Sequence, residues 1–268
     1  MNRLIVLVAF AVASGSLADT KEPKAADKPK SGGEVNWQGQ VIKASGAGAP
    51  DMNAANAAQA RLGAERAALT DALRNLLAQV KGISIDGTKK MGDAMEKDEV
   101  RSRVEGTIRG YKITNKHYFS DNGVEIDIEV PLALLTDVID PDATQVLLAT
   151  TATAPTKPTE KPNTGLVIDA RGLKVTPALA PRVLDDAGKA LYSIDSLSTD
   201  ARKSTGVAAY VQSLDEASKS TKAGEKPLVI KASKATGADL QLGAEDAKKL
   251  AAVNTSFLAE GRVVIVLN

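Results

Sequence analysis

The chain has 268 residues, no cysteine and a formal net charge of +1. Without cysteine the protein has no disulfides and no thiolate chemistry, and it lacks the lipid-bearing cysteine of a bacterial lipoprotein. The balanced charge and the aromatic content of 3% argue against nucleic-acid binding, because phosphates attract excess positive charge and bases need stacking partners.

The first 18 residues have the pattern of a secretory signal peptide. Arg3 supplies a positive charge, Leu4 to Ala13 is an uninterrupted apolar run, and Ser16-Leu17-Ala18 offers small residues at a cleavage site. The apolar run is shorter than the roughly 20 residues of a membrane-spanning helix, so an uncleaved membrane anchor is the weaker alternative. We expect cleavage after Ala18 and a location in the periplasm or elsewhere outside the cytoplasmic membrane.

Two segments without apolar periodicity divide the rest of the chain. Residues 19–33 are rich in lysine, proline and glycine and are predicted to be a disordered tether. Residues 149–163 contain Pro155, Pro158 and Pro162, whose spacing favours an extended polyproline II linker. These boundaries predict two small domains, at residues 34–148 and 164–268.

The first domain is predicted to begin with a strand and a long helix. Apolar and polar residues alternate from Val35 to Val41, as in a half-buried strand. Asp51 or Asn53 is predicted to cap the helix, and Gly82 to end it in a left-handed conformation. A coiled coil is the weaker alternative, because heptads do not persist. The stripe predicted to face the core is Ala58, Leu62, Leu69, Leu73, Leu76 and Val80.

A second helix is predicted over residues 93–110, with Gly110 as its stop, and a β-hairpin with an Asn122-Gly123 turn follows it. A short helix over residues 131–139 is predicted to close this domain. Strand parity predicts one apolar and one charged face for the hairpin. The apolar face is predicted to join the valines and isoleucines of residues 124–130 to Tyr111, Ile113, His117 and Phe119. The charged face is predicted to join the acidic residues of the same strand to Lys112 and Lys116.

The second domain alternates strands and helices, which predicts a mixed α+β unit. Strands are predicted at residues 166–170, 183–184, 190–192, 226–235 and 261–268, and helices at residues 206–220 and 243–253. The predicted fold class is therefore α+β with two small domains. The first packs its helices on an antiparallel sheet, and the second is a mixed α+β unit.

No group of residues predicts an enzyme. His117 is the single histidine, and its predicted place on the apolar face favours packing over general-base catalysis. The glycine-rich residues 45–51 lack a Gly-Lys-Ser/Thr ending, which favours a strand-to-helix turn over a phosphate loop. We predict no catalytic residue, no cofactor and no metal site.

Three charged residues of the second domain form an alternative candidate site. Asp169 and Arg171 are two residues apart at a strand end, so their side chains point the same way. A structural ion pair is favoured over a site for this pair. A ligand-binding protein would use Asp169 and Arg171 together with Arg182.

The pattern of the first domain resembles a known family. The segments that carry the resemblance are "GQVIKASGAG", "ARLGAERAALTDALRNLLAQV", "VRSRVEGTIRGYKI" and "GVEIDIEVPL". They resemble the Lpp-twenty-like family of bacterial envelope lipoproteins and the N-terminal domain of flagellar assembly protein T, over residues 34 to about 138. The chain departs from the lipoproteins because it has no lipobox cysteine.

The resemblance implies a non-catalytic structural or assembly protein of the cell envelope, in the flagellar motor or in another envelope complex. Its implied partners are envelope proteins or further copies of the chain, not nucleic acid. The second hypothesis is a periplasmic binding module for a glycan or a small anionic ligand. A hydrolase that uses dispersed carboxylates is the third.

Overall fold

The computed structural model describes residues 31–139, 163–253 and 256–267. The predicted signal peptide, most of the predicted tether and most of the predicted linker lie outside these residues. The predicted α+β class with two domains is confirmed, with a four-stranded sheet in the first domain and a seven-stranded sheet in the second. Across the described ranges, no helix is both long and apolar enough to cross a membrane.

The first domain lays one long helix across an antiparallel sheet. Its strands, in the spatial order β1-β2-β4-β3, are β1 (Gly32–Asn36), β2 (Val41–Gly48), β3 (Lys112–Tyr118) and β4 (Val124–Pro131). Its helices are α1 (Ala57–Gly82), α2 (Met91–Ala94), α3 (Asp98–Ile108) and α4 (Leu132–Ile139). The predicted second helix is thus two helices, and β1 begins inside the segment predicted to be a tether. The single strand predicted from Val35 to Val41 was wrong, because a turn at residues 37–40 separates β1 from β2.

The long helix buries a different stripe from the predicted one. The buried residues recur at every fourth position and are Ala60, Ala64, Ala68, Ala72, Leu76 and Val80. In the predicted stripe, Leu76 and Val80 are buried and Leu69 and Leu73 are half-buried, but Ala58 is exposed and Leu62 is 54% exposed. The prediction was wrong for those two because each is two residues from Ala60, which places them on the side of the helix opposite to the alanines that meet the sheet.

Two glycines of β2 set the distance between the helix and the sheet. A Cβ atom at Gly46 would overlap the backbone nitrogen of Ala72, and one at Gly48 would overlap the carbonyl oxygen of Ala64. The backbone of α1 therefore lies directly on the backbone of β2. These glycines lie within the strand and not in the strand-to-helix turn predicted at residues 45–51.

The ends of α1 also differ from the prediction. Asn56, and neither Asp51 nor Asn53, is the N-cap, and its side-chain oxygen accepts a hydrogen bond of 2.9 Å from the N–H of Gln59. Gly82 is the last helical residue, and the chain leaves the helix in an extended conformation. The predicted left-handed glycine cap is therefore wrong.

An irregularity in β3 changes which side chains face α1. The pairing of β3 with β4 shifts between Ile113 and Asn115, so His117 lies opposite Glu125 on the outer face of the sheet. His117 contacts Phe119 there edge-to-face, with ring centroids 4.5 Å apart. The prediction that these two rings lie on the apolar face was wrong, because parity counting does not detect one extra residue.

Lys116 is moved to the helix side by the same irregularity. Its Nζ lies 3.4 Å from a carboxylate oxygen of Glu65 on α1, and the hydroxyl of Tyr118 donates to that carboxylate at 2.9 Å. The hydrogen bond from Tyr118 lowers the pKa of Glu65. Lys112 precedes the irregularity and stays on the predicted charged face, 3.6 Å from Glu129.

The second domain is a mixed sheet flanked by short helices. The strands, in the spatial order β7-β6-β10-β9-β5-β11-β8, are β5 (Gly165–Asp169), β6 (Val183–Leu184), β7 (Ala190–Tyr192), β8 (Ala209–Val211), β9 (Pro227–Thr236), β10 (Asp239–Leu242) and β11 (Val263–Val266). The helices are α5 (Thr199–Ser204), α6 (Leu214–Lys219), α7 (Ala244–Ala251) and α8 (Ser256–Ala259). Strands β9, β5, β11 and β8 run parallel to one another.

The helix predicted at residues 206–220 was wrong. Strand β8 occupies part of its first half, and α6 begins after Ser213, whose hydroxyl accepts a hydrogen bond from the N–H of Glu216. The apolar run from Val207 to Val211 fits helical spacing, but a short run of this kind is equally typical of a buried parallel strand.

The two domains share one hydrophobic core, and helix α4 packs against α5. The rings of Trp37 and Tyr210 meet edge-to-face across the boundary, with centroids 5.5 Å apart. The N–H of Leu179 also donates to the carbonyl oxygen of Ser84 at 2.9 Å. The described parts of the two domains therefore form one body.

Replacing Gly46 with valine should destabilise the protein strongly, because the new side chain would displace α1 from β2. We expect a loss of about 3 kcal/mol in the free energy of unfolding, measured by urea denaturation. Gly63→Ala is the matched control, because a Cβ atom there meets nothing within 4 Å. It should raise stability by up to about 1 kcal/mol. Equal effects of the two substitutions would contradict the close contact.

Candidate functional site

Asp169 and Arg171, two of the three predicted ligand-binding residues, bind each other at the end of β5. The Nε and Nη2 atoms of Arg171 donate to the two carboxylate oxygens of Asp169 at 2.9 and 2.8 Å. These hydrogen bonds lower the pKa of Asp169 and raise the pKa of Arg171. A depression of about 410 Å³ beside the pair is also lined by Lys231 and Asp246.

Arg182, the third predicted residue, belongs to the contact between the domains. Its Nε and Nη2 atoms donate to the carboxylate of Asp239 at 3.1 and 2.5 Å. Asp86 of the first domain interacts electrostatically with the guanidinium group of Arg182. Burial alone raises the pKa of Asp86, but hydrogen bonds from Thr88 and Lys89 and the charge of Arg182 hold that pKa below its ordinary value.

The structure does not bring the three predicted residues together. Asp169 lies opposite Lys231 of β9, whereas Asp239 lies opposite Thr236 of the same strand. At about 3.3 Å per residue, these partners and their ion pairs are about 16 Å apart along the strand. A small anion therefore does not bridge Arg171 and Arg182.

A different cleft, of about 480 Å³, lies on the boundary between the domains. Domain boundaries are preferred places for ligand sites. Residues of the β1–β2 turn line it from the first domain, and residues around α5, α6 and the start of β11 line it from the second. Hydroxyl, amide and charged groups predominate, among them Gln38, Gln40, Ser204, Ser220, Lys222 and Arg262.

We call this cleft the interdomain cleft. The loop after α5 contacts residues of both domains beside it. Gly206 has a φ of +69° and its carbonyl oxygen lies against Gly261, where a Cβ atom would come within 2.6 Å of it. Gly261 has a φ of +66°, and both angles lie in the left-handed region that favours glycine. The Oε1 atom of Gln40 lies near Gly206 from the first domain.

Lys222 reaches the same loop from the second domain. Its Nζ donates to the carbonyl oxygens of Thr205 and Gly206 at 2.7 and 3.2 Å. Burial lowers the pKa of Lys222 to about 7. An ammonium group has three N–H donors, so one donor of Lys222 remains for water or a ligand.

Gln40 holds the opposite wall in a strained backbone conformation. Its φ is +56°, and among the described residues only Asn122 is another non-glycine residue with positive φ. Its side chain donates to the carbonyl oxygen of Trp37, and its own carbonyl oxygen accepts a hydrogen bond of 2.9 Å from the N–H of Leu132. Strain of this kind is concentrated at functional sites.

The sequence prediction did not find the interdomain cleft. Gln38 and Gln40 look like the polar half of a strand, and Lys222 stands among serines and threonines without a motif. The glycines at positions 206 and 261 were the available sign of a close backbone contact. In the part of the chain that the structure describes, no group of three or more histidine, aspartate or glutamate residues could hold a metal ion.

The fold and the cleft define the class of protein: a two-domain α+β protein with a polar cleft between domains that share a core. Residues 165–268 match the family model of the second domain of Treponema pallidum Tp0624. The match begins where β5 begins and covers the seven-stranded sheet. A search of curated proteins finds no match to the chain.

Substituting the two predicted arginines separates a structural role from a ligand-binding role. Arg182→Met should cost about 2 kcal/mol in the free energy of unfolding, because it leaves the mostly buried carboxylate of Asp239 without its charged partner. Arg171→Met should cost clearly less than Arg182→Met, because Arg171 is exposed to solvent and Lys231 stays beside Asp169. Urea denaturation measures the free energy of unfolding of both variants. Equal losses of stability would contradict a structural role of Arg182 at the contact between the domains.

The lowered pKa of Lys222 predicts how stability depends on pH. Between about pH 7 and pH 10.5 the unfolded state binds more protons than the folded state, so this group makes the free energy of unfolding rise with pH. Below about pH 7 both states are charged and its contribution is constant.

In the Lys222→Met variant this rise should be lost. The stability of the wild type relative to the variant should increase by up to about 1.4 kcal/mol per pH unit above pH 7, in urea denaturation at several pH values. Lys219→Met, at an exposed position of α6, is the matched control, because it removes a lysine charge from the surface and not from a buried position. A pH-independent difference between wild type and Lys222→Met would contradict the prediction.

Proposed function

We propose that the protein is a non-catalytic structural or assembly protein of the bacterial cell envelope, exported by its signal peptide and working in the flagellar motor or another envelope complex. Two observations support this proposal. The segments that carry the sequence resemblance to the envelope families form, in order, a strand, a long helix, a shorter helix and a β-hairpin in the first domain. The two domains also form one body, which suits a building block better than a hinged binding protein.

The outer edge of the first sheet is the observation that carries the proposal. Strand β3 is the last strand of that sheet, and all seven of its residues are exposed. None of the described residues forms a strand on its free side. An edge strand of this kind presents backbone N–H and C=O groups that a partner strand can bind.

The side chains of β3 restrict which strand can bind there. Lysines and irregular pairing are features that discourage indiscriminate strand addition. Antiparallel pairing of two copies centred on Asn115 places Lys112 opposite Tyr118 and Lys116 opposite Thr114, so no lysine faces a like charge. A second copy of the chain therefore fits this edge, and we propose self-association through β3.

Cysteine cross-linking tests the pairing, because the natural chain has no cysteine. In the proposed dimer the Cα atoms at position 115 of the two copies are about 5 Å apart, within the range of a disulfide. Asn115→Cys should therefore give a covalent dimer on a non-reducing gel, both after purification and in the envelope. Asn115 is exposed, so the fold should tolerate this change.

Arg101→Cys, at an exposed position on α3, is the matched control and should remain monomeric. Lys112→Cys should also remain monomeric, because the two copies of position 112 would be about 20 Å apart in this register. Equal cross-linking at positions 101, 112 and 115 would contradict the proposed register. A strictly monomeric Asn115→Cys protein in the envelope would count against self-association through β3.

A further inference from the structure

The charges of the interdomain cleft favour an anion. Among the residues that the structure describes, three charged side chains line it: Lys222, Arg262 and Glu260. The Nε of Arg262 lies 2.6 Å from a carboxylate oxygen of Glu260, so these two charges offset each other. Lys222 is left as the uncompensated cation, and its ammonium bonds are to carbonyl oxygens that carry no net charge.

The uncharged lining favours a ligand that carries several hydroxyl groups. Ser204, Ser220, Gln38 and Gln40 offer donors and acceptors around the cleft. Hydroxyl and amide groups of this kind bind sugar hydroxyls by paired donation and acceptance. The volume of about 480 Å³ suits a small molecule and not a long glycan chain.

Both walls of the cleft are fixed before any ligand binds. Two carbonyl oxygens hold the ammonium group of Lys222, and hydrogen bonds to Trp37 and Leu132 hold the strained turn at Gln40. A site with fixed groups loses less conformational entropy when it binds a ligand.

We propose that the interdomain cleft binds an acidic monosaccharide, with its carboxylate on Lys222 and its hydroxyl groups on the glutamines of the β1–β2 turn and the serines near α5 and α6. This site replaces the one predicted at Asp169, Arg171 and Arg182. It goes beyond the assembly function and does not depend on pairing through β3. A ligand in this position contacts both domains and so stabilises their contact.

Binding should also be linked to protonation of Lys222, because a carboxylate favours the charged form of an amine. The other charged groups in the cleft are Glu260 and Arg262, which bind each other. Affinity for the acidic sugar should therefore fall as the pH rises above neutral. A neutral sugar has no such dependence.

Isothermal titration calorimetry of the full mature chain with D-glucuronate tests the proposal, with D-glucose and acetate as matched probes. We expect D-glucuronate to bind more tightly than either probe, and its affinity to fall about tenfold from pH 7 to pH 9. Lys222→Met should weaken binding of D-glucuronate by tenfold or more. Gln38→Ala, at an exposed turn position, should weaken it several-fold without affecting folding.

Arg171→Met is the control, because it alters the originally predicted site and leaves the cleft intact. Its affinity for D-glucuronate should equal that of the wild type. Loss of binding in Arg171→Met with retention in Lys222→Met and Gln38→Ala would overturn the proposal. Equal binding of D-glucose and D-glucuronate, or no measurable binding of D-glucuronate by the folded wild type, would also overturn it. None of these three results affects cross-linking at position 115, so the two proposals fail separately.

Discussion

The contact between the backbone of α1 and the backbone of β2 constrains the rest of the first domain. Gly46 and Gly48 carry no side chain where β2 meets Ala64, Ala68 and Ala72, so at this end of the contact only the methyl groups of α1 accompany the two backbones. Close packing of this kind gains dispersion contacts along the whole interface and tolerates almost no added volume. It also fixes β2, and β2 leads directly back to the turn that carries Trp37, Gln38 and Gln40.

The β1–β2 turn also positions the contact between the first domain and the second. Trp37 meets Tyr210, whose hydroxyl donates to the carbonyl oxygen of Ala178 and accepts from the N–H of the same residue. Tyr192 similarly donates to the carbonyl oxygen of Val207. Burial raises the pKa of both tyrosines, so they remain neutral donors. The rings of the two tyrosines thus pack in the shared core while their hydroxyl groups form hydrogen bonds with the backbone of neighbouring loops.

Sequence patterns predicted the elements of this protein better than their contacts. The hairpin of β3 and β4 and most strands of the second domain follow from alternation and turn residues, which are local properties. The buried face of α1 depends on two glycines in another strand, and the face of His117 depends on one extra residue near position 114. Neither is encoded in the periodicity of the segment concerned.

The sequence prediction singled out residues that the structure does not bring together, for a related reason. Charged residues near one another in sequence, such as Asp169 and Arg171, attract attention but satisfy each other. The groups of the interdomain cleft are far apart in sequence, and each is ordinary until folding gives it a special environment. Lys222 has a lowered pKa because folding buries its ammonium group. Gln40 is distinctive because its backbone has a positive φ.

The energetic cost of these two residues is the strongest argument that the interdomain cleft has a role beyond holding the domains together. A left-handed non-glycine residue costs about 1 kcal/mol or more, and a buried lysine without a carboxylate partner destabilises the fold at neutral pH. Glycine at position 40 and an apolar residue at position 222 would avoid both costs. The junction has other sources of stability in Trp37, Tyr210 and the Arg182–Asp239 pair. A polar ligand that contacts Lys222 and the turn at Gln40 would explain why the protein retains both the buried ammonium group and the strained backbone.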